Sequence, residues 1–242
     1  MKLFELTRLG LEPLLPPLQK KARKRLTKIA KSYSYRPEIL DVGGRKSPYT
    51  IGVPANITIS DLPRETEIQR KLGLGINEQT IERINYRRSN VRRIVFDDMT
   101  RSDLPTQSFE CVAAVEVLEH VEEDAAFVRE VHRILKPGGV FFMTTPNGDY
   151  LENRNPDHKR HYTKAQLSSL LSTVFDHAQV EYAIRGGVYR KLGLKSWSVK
   201  RPLQTGLSMV GNFVNSIQSA HPGIKHTARG THHLIAVAEK FN

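Results

Sequence analysis

The chain has 242 residues, 39% of them hydrophobic, and a formal net charge of +12 at pH 7. That length suits one α/β domain with additions and a full core, and no apolar run approaches the roughly 18–20 residues that cross a bilayer. The single cysteine, Cys111, excludes an internal disulfide, and its apolar surroundings predict a buried packing role. From Leu9 to Leu18 the apolar stretch is broken by Glu12, Pro13, Pro16 and Pro17, and no small-residue cleavage site follows. It does not read as a secretory signal, and a cytoplasmic setting is expected.

Residues 18–33 carry Leu18, Ala22, Leu26 and Ala30 at helical spacing, and Pro37 ends that element. Glu38 to Val42 reads as a first strand entering Gly43-Gly44, and Ile57 to Ser60 as a second ending at Asp61. Residues 64–88 are polar and are expected to hold helix and loop. Val91 to Phe96 and Cys111 to Val115 read as strands three and four, ending at Asp97-Asp98 and Glu116. Asp124 to Leu135 has helical periodicity stopped by Lys136-Pro137-Gly138-Gly139, and Val140 to Thr145 is a fifth strand. Thr163 fits the N-cap of a helix through Leu171. Ala178 to Ile184 and Leu234 to Ala238 read as the last two strands.

The charge is unevenly placed. Residues 13–37 and 182–238 contain no acidic side chain and together carry +16, which leaves −4 on the rest. The expected organisation is therefore a basic helical segment, 1–37, before a domain, 38–242, with a basic insertion, 186–231, ahead of its last strand. Such asymmetry points to an anionic partner, lipid headgroups or nucleic acid.

Strands alternating with helices predict a doubly wound, mostly parallel seven-stranded α/β sheet of the Rossmann-like kind. Ligands bind such sheets outside the carboxyl ends of the strands. The polar residues at those ends are Asp41, Gly43, Gly44, Asp61, Asp98 and Glu116. Glycines permit a tight turn close to a ligand. Asp61 is placed to accept ribose hydroxyls, and Asp98 to accept from an adenine amino group with the Met99 backbone beside the ring. The third glycine of the dinucleotide fingerprint is absent.

These motifs resemble the class I S-adenosylmethionine (SAM)-dependent methyltransferases, especially the type 11 group. The resemblance covers residues 38–184 and rests on Asp41 to Gly44, Asp61, Asp98, Leu104-Pro105, Ser108-Phe109-Glu110, Glu116-Val117-Leu118-Glu119-His120 and Leu135 to Gly139. It implies the Rossmann-like methyltransferase fold, SAM as cofactor, and Asp41, Gly43, Gly44, Asp61, Asp98, Met99 and Glu116 as the residues that hold it. One departure is Arg45, which stands at the usual third position of the glycine turn and leads into Lys46-Ser47-Pro48-Tyr49. A similar Pro-Tyr ending occurs in members associated with glycans or envelope components.

Methyl transfer from a sulfonium requires positioning of the acceptor and removal of its proton, but no covalent nucleophile. Glu116, Glu119 and His120 fall at i, i+3 and i+4, a spacing that puts them on one helical face. Ubiquinone-biosynthesis and small-RNA 2′-O-methyltransferases are similar at this motif. By that resemblance His158 joins Glu116, Glu119 and His120 around Mg²⁺ or another divalent metal, which would lower the pKa of an acceptor hydroxyl. The alternative is a metal-free site in which His158, His161 or His120 is the catalytic base.

The expected reaction is O-methylation of a hydroxyl on a glycan, lipid-linked sugar or isoprenoid or envelope intermediate. In the insertion, Tyr189, Leu192, Leu194, Trp197 and Val199 stand among bases, before an apolar helical stretch from Leu207 to Ile217. That composition suits an anionic membrane surface, with the protein peripheral on its inner face. The alternatives are RNA 2′-O-methylation and a catalytically inactive methyltransferase-like binding module, at which Arg45 hints.

Overall fold

The computed structural model describes residues 1–63 and 75–241. Among them, one seven-stranded sheet has the order β3-β2-β1-β4-β5-β7-β6. Its strands are β1 (Glu38–Val42), β2 (Asn56–Asp61), β3 (Val91–Phe96), β4 (Phe109–Val115), β5 (Leu135–Pro146), β6 (His177–Arg185) and β7 (Thr231–Glu239). Strands β1 to β5 pair in parallel, and β7 runs antiparallel to both β5 and β6. This is the doubly wound Rossmann-like fold. Strand order reverses between β1 and β4, which opens the ligand crevice at the carboxyl ends of those two strands.

The helices are α1 (Leu3–Gly10), α2 (Pro17–Lys31), α3 (Glu78–Arg87), α4 (Asp124–Ile134), α5 (Lys164–Leu171), α6 (Val188–Gly193) and α7 (Pro202–Ser219). Buried Ala22, Leu26, Ile29 and Ala30 form the stripe of α2, spaced to lie on one helical face. They share one core with Ile39, Ile57, Ile59 and Ile84 of α3. On the opposite face, Phe127, Val128, Val131 and Ile134 of α4 join Leu167 and Leu171 of α5 over Val112, Ala114 and Phe141. With both faces covered, the central strands are apolar throughout rather than alternating. Cys111 is buried in the α2-side core, and burial pushes its thiol far above the ordinary range. Thr163 caps α5: its hydroxyl accepts from Gln166 N at 3.2 Å, and Gln166 Oε1 accepts from Thr163 N at 2.9 Å.

Three elements differ from the sequence expectations. Of the expected helix and loop over 64–88, residues 78–87 are α3, and 64–74 lie outside the described residues. The β5 strand begins at Leu135 rather than Val140. Gly138, at φ +74, turns within the strand while its N–H donates to Lys240 O at 2.7 Å. The turn residues are thus already bonded to the chain beyond β7. Helix α1, not singled out within the basic segment, leaves its apolar Leu3, Phe4 and Leu6 exposed. Its one buried side chain is Glu5, which accepts from Ser89 N at 2.9 Å and Ser89 Oγ at 2.8 Å.

Candidate active site

Between β1 and β2 the chain makes only a 3₁₀ turn (Gly44–Lys46), and α2 covers the sheet where a crossover helix would pack. Gly43 adopts φ +68, a left-handed conformation that favours glycine, and a Cβ on Gly44 would lie 2.6 Å from Asp41 Cγ. Asp41 is fully buried beneath this turn. Its Oδ1 accepts from the Tyr49 hydroxyl at 3.1 Å and its Oδ2 from Thr50 Oγ1 at 2.8 Å. Thr50 Oγ1 in turn accepts from Arg88 Nη2 at 2.6 Å. Burial raises the Asp41 pKa above the ordinary carboxylate range, against the opposing charge of Arg88. The side chain thus props the 47–50 loop from below, a different place from the direct cofactor contact expected of it.

Asp61 sits at the end of β2, as the cofactor reading requires, but its carboxylate is engaged. Arg45 Nη1 lies 2.6 Å from Asp61 Oδ2, and Leu62 N donates to Oδ1 at 2.9 Å. The two side chains retain only 15% and 9% exposure. The guanidinium stands where ribose hydroxyls are expected. Asp98 Oδ1 accepts from Thr100 N and Thr100 Oγ1 at 3.0 and 2.8 Å, while Met99 is buried in the α4-side core.

Glu116 ends β4 at φ +56, and Ile184 near the end of β6 has φ +62. A β-branched residue there is a true backbone outlier. Both line one cavity of about 210 Å³, together with Pro17, Arg190, Asn215 and His233. Strained backbone of this kind concentrates at ligand sites, because only the surrounding structure holds it. Glu116 Oε1 accepts from Thr144 Oγ1 at 2.9 Å, and Oε2 lies 3.3 Å from His233 Nε2. Burial raises the Glu116 pKa, but the His233 charge and the Thr144 hydrogen bond outweigh it and hold it below the usual carboxylate range. Burial and the neighbouring His233 push His232 down to about 3, so it is neutral at neutral pH.

Sequence reasoning missed His233 and Arg190. The signal for His233 was the register of the antiparallel last strand, which sets it opposite Pro146 at the end of β5. A larger cavity of about 390 Å³ lies where α1, α3 and the 45–51 loop meet, with Arg8, Arg45, Arg83, Arg87 and Arg88 in its lining.

The four residues expected around a metal do not all converge. Glu116 turns away to His233, because its positive φ breaks the helical turn that would have aligned it with Glu119 and His120. Ligand atoms of Glu119, His120 and His158 do lie within 4.8 Å of one another. Both carboxylate oxygens of Glu119 are buried without a hydrogen-bond partner. Burial, and then the Glu116 charge, raise its pKa well above the ordinary range. The neighbouring hydrogen bonds fix the imidazole tautomers. His161 Nδ1 donates to Leu151 O at 3.2 Å, so its Nε2 accepts from His158 Nδ1 at 2.9 Å. His120 Nδ1 donates to Asp157 O at 3.0 Å. Nε2 of both His120 and His158 is therefore the bare nitrogen, fit for a cation or a proton.

Residues 51–143 match the family model described as a methyltransferase domain. A protein of Mycolicibacterium smegmatis described as a probable S-adenosylmethionine-dependent methyltransferase is 35% identical over 133 residues, 52% of this chain and 49% of that one. A ubiquinone biosynthesis O-methyltransferase of Xanthomonas oryzae pv. oryzae is 34% identical over 113 residues, 45% of this chain and 43% of that one. The chain thus spans about half the length of the curated relatives it matches. Among solved structures, a SAM-dependent methyltransferase from Archaeoglobus fulgidus aligns with a TM-score of 0.57 at 15% identity, over 92% of this chain and 94% of that one. A Haemonchus contortus phosphoethanolamine N-methyltransferase in complex with S-adenosyl-L-methionine aligns at 0.54 and 15% identity, over 90% of this chain and 53% of that one. The fold is that of these solved SAM-dependent methyltransferases, and residues 51–143 are similar to a methyltransferase domain of the type 11-like kind.

Proposed function

We propose that this protein methylates a hydroxyl group with SAM as donor, on a glycan, lipid-linked sugar or isoprenoid or envelope intermediate. The observation that carries the reading is the cavity at the end of β4, where Glu116 and Ile184 are both held at positive φ. Its lining mixes Pro17, Leu18 and Leu194 with Arg190, Asn212 and Asn215, which suits an apolar acceptor bearing a polar group. The ubiquinone biosynthesis relative is compatible with such an acceptor.

Asp61 and the ionised Glu116 give the crevice the acceptor oxygens and negative charge that a ribose and a cationic methionine end require. The donor supplies an electrophilic methyl on a positively charged sulfur. Glu116, held ionised by His233 and Thr144, attracts that charge. His158 takes the proton from the acceptor oxygen at its bare Nε2 while His161 fixes the ring through Nδ1. Burial and the neighbouring histidines lower the His158 pKa, so it is unprotonated and able to accept at neutral pH.

The orphaned Glu119 carboxylate favours a second reading, in which Glu119, His120 and His158 hold a divalent cation. Such a cation would compensate the buried charge and acidify an acceptor hydroxyl. One experiment addresses both readings: calorimetric titration with S-adenosylhomocysteine, with and without Mg²⁺, on the wild type, Asp61→Ala and Glu119→Gln. Saturable binding lost in Asp61→Ala supports the cofactor site, and its absence from folded wild type overturns it in favour of an inactive binding module. A Mg²⁺-dependent heat lost in Glu119→Gln supports the metal. Its absence leaves His158 as the base.

Arg45 makes a further prediction. Because it competes for Asp61, Arg45→Ala should bind S-adenosylhomocysteine about tenfold more tightly, the equivalent of one hydrogen bond to a charged group. The ligand-free variant should also melt at a lower temperature, since Asp61 loses its charged partner and keeps only the hydrogen bond from Leu62 N among those described. Unchanged affinity by calorimetry would mean that Arg45 and the ribose share the carboxylate.

A further inference from the structure

Helix α7 is inside out. Its buried residues are Ser208, Gly211, Asn212, Asn215 and Ser219, with no large apolar side chain among them. Its exposed residues include Leu203, Leu207, Val210, Phe213 and Ile217, each between 48 and 84% exposed. At 100° per residue these five fall on one stripe opposite the polar face.

The polar face docks by hydrogen bonds rather than by apolar burial. Ser208 Oγ donates to Gly193 O at 2.9 Å, Asn215 Nδ2 donates to Arg185 O at 2.7 Å, and Ser219 Oγ accepts from Arg185 N at 2.9 Å. Gly211 lets the backbones close: a Cβ there would lie 2.9 Å from both Leu192 Cβ and Tyr189 O. Helix position is thus fixed without the apolar stripe, which is left for something else. A stripe this long on an exposed helix marks an interaction surface.

We propose that α7 lies on an anionic lipid surface, with its stripe in the acyl boundary and the surrounding cations at the headgroups. Residues 182–238 contain no acid and eight bases. Lys191, Lys195, Lys200 and Arg201, around the start of α7, are exposed and have no carboxylate partner among the described residues. That charge complements anionic headgroups. It opposes a second copy of this chain, because a symmetric contact would set the same cations face to face. Among the described residues no helix is long and apolar enough to cross a membrane, so α7 lies on the surface rather than spanning it.

The same hairpin also roofs the Glu116 cavity. Arg190 and Leu194 of the α6 segment and Asn212 and Asn215 of α7 are in its lining. Seated on the surface, α7 would hold the cavity beside the headgroups, where a lipid-linked acceptor presents its hydroxyl. This last step rests on the functional reading above. The docking itself does not.

The test is co-sedimentation with phosphatidylcholine vesicles, with and without phosphatidylglycerol at about one third of the lipid. The triple variant Leu207→Glu, Val210→Glu and Ile217→Glu is compared with wild type. Trp197, the chain's one tryptophan, is hydrogen-bonded to Ser208 Oγ at 3.0 Å and so reports on this helix. Wild type should bind anionic vesicles about tenfold better than neutral ones. Its Trp197 emission should shift to the blue and be quenched by brominated lipid. The triple variant should lose both responses while keeping the wild-type affinity for S-adenosylhomocysteine, whatever that affinity is. Equal binding to neutral and anionic vesicles, an unquenched Trp197, or full binding by the variant would overturn the proposal. So would a concentration-dependent dimer abolished by the variant, since the stripe would then belong to a second copy, and so would salt-sensitive RNA binding abolished by it. Should the variant fail to fold, the wild-type tryptophan response alone decides.

Discussion

Replacing Asp41 with alanine is expected to destabilise the protein by about 3–5 kcal/mol, the usual cost of removing one partner from a buried charged network. Asp41 is 0% and Arg88 6% exposed, and they communicate through Thr50 Oγ1. Arg88 Nε is already without a hydrogen-bond partner. Deleting the carboxylate removes the larger carboxylate charge that favours the Arg88 cation, leaves Glu5 as the remaining one, and releases the Tyr49 hydroxyl. For a chain of this length that corresponds to a fall of roughly 10 °C in melting temperature. Asp41→Asn should recover part of it, because an amide can still accept from Thr50. Cofactor affinity measured well below the melting transition should fall in both variants, since the turn loses its support. A loss of less than about 1 kcal/mol would show that the Arg88 charge is compensated elsewhere. The pH dependence has a definite sign. Because burial raises the folded-state pKa of Asp41, its ionisation opposes folding. Its own contribution to stability therefore falls as pH rises from the ordinary carboxylate range through the folded value. That slope should vanish in Asp41→Asn.

The shared edge of the strand ends was legible because parallel strands bring their carboxyl ends to one side of the sheet. Asp41, Asp61, Asp98 and Glu116 each ended an apolar run, so their common edge followed from topology alone. Helices α2, α4 and α5 were legible for the same reason, through a periodic stripe or a cap. What the pattern could not show was which side chains would meet. Arg45 and Asp61 form an ion pair across two loops, and local sequence carries no trace of it. The Glu116–His233 contact depends on β7 running antiparallel beside β5, a pairing that composition does not encode. The spacing of Glu116, Glu119 and His120 suggested one helical face, but the left-handed backbone at Glu116 separated it from the others. Helix α1 was invisible because a carboxylate, Glu5, anchors it. The apolar stretch from Leu207 to Ile217 was read correctly as helical, but periodicity says only that a helix has two faces. Which face turns inward was settled by Ser208, Asn215 and Ser219, whose hydrogen bonds to backbone groups need the closer approach.

The residue on which the proposed chemistry turns is Glu116, and Glu116→Gln is expected to cut methyl transfer by about a hundredfold while the fold survives. The amide keeps the shape and the hydrogen bond from Thr144 but removes the negative charge, and a hydrogen bond to a charged group contributes about 1.5–3 kcal/mol. The protein has invested backbone strain at this position, φ +56 on a non-glycine residue, which is justified only if the side chain must point where it does. The effect should divide between ground state and transition state. Affinity for S-adenosylhomocysteine, which lacks the sulfonium charge, should fall only about tenfold, and the remainder should appear in turnover. The sign of the pH profile follows from the depressed pKa. Glu116 stays ionised from neutral pH down through the ordinary carboxylate range, and its contribution is lost only as pH falls through the lower, folded-state value. The acid limb of cofactor binding by the wild type should therefore lie below that of an ordinary glutamate and be missing in Glu116→Gln. His233→Ala should move that limb upward toward the ordinary range, because the imidazole 3.3 Å away no longer favours the charged carboxylate. If Glu116→Gln turned over at the wild-type rate, the cavity beside it would lose its claim to the chemistry. The strained turn would then be a device for closing β4 onto β5 alone.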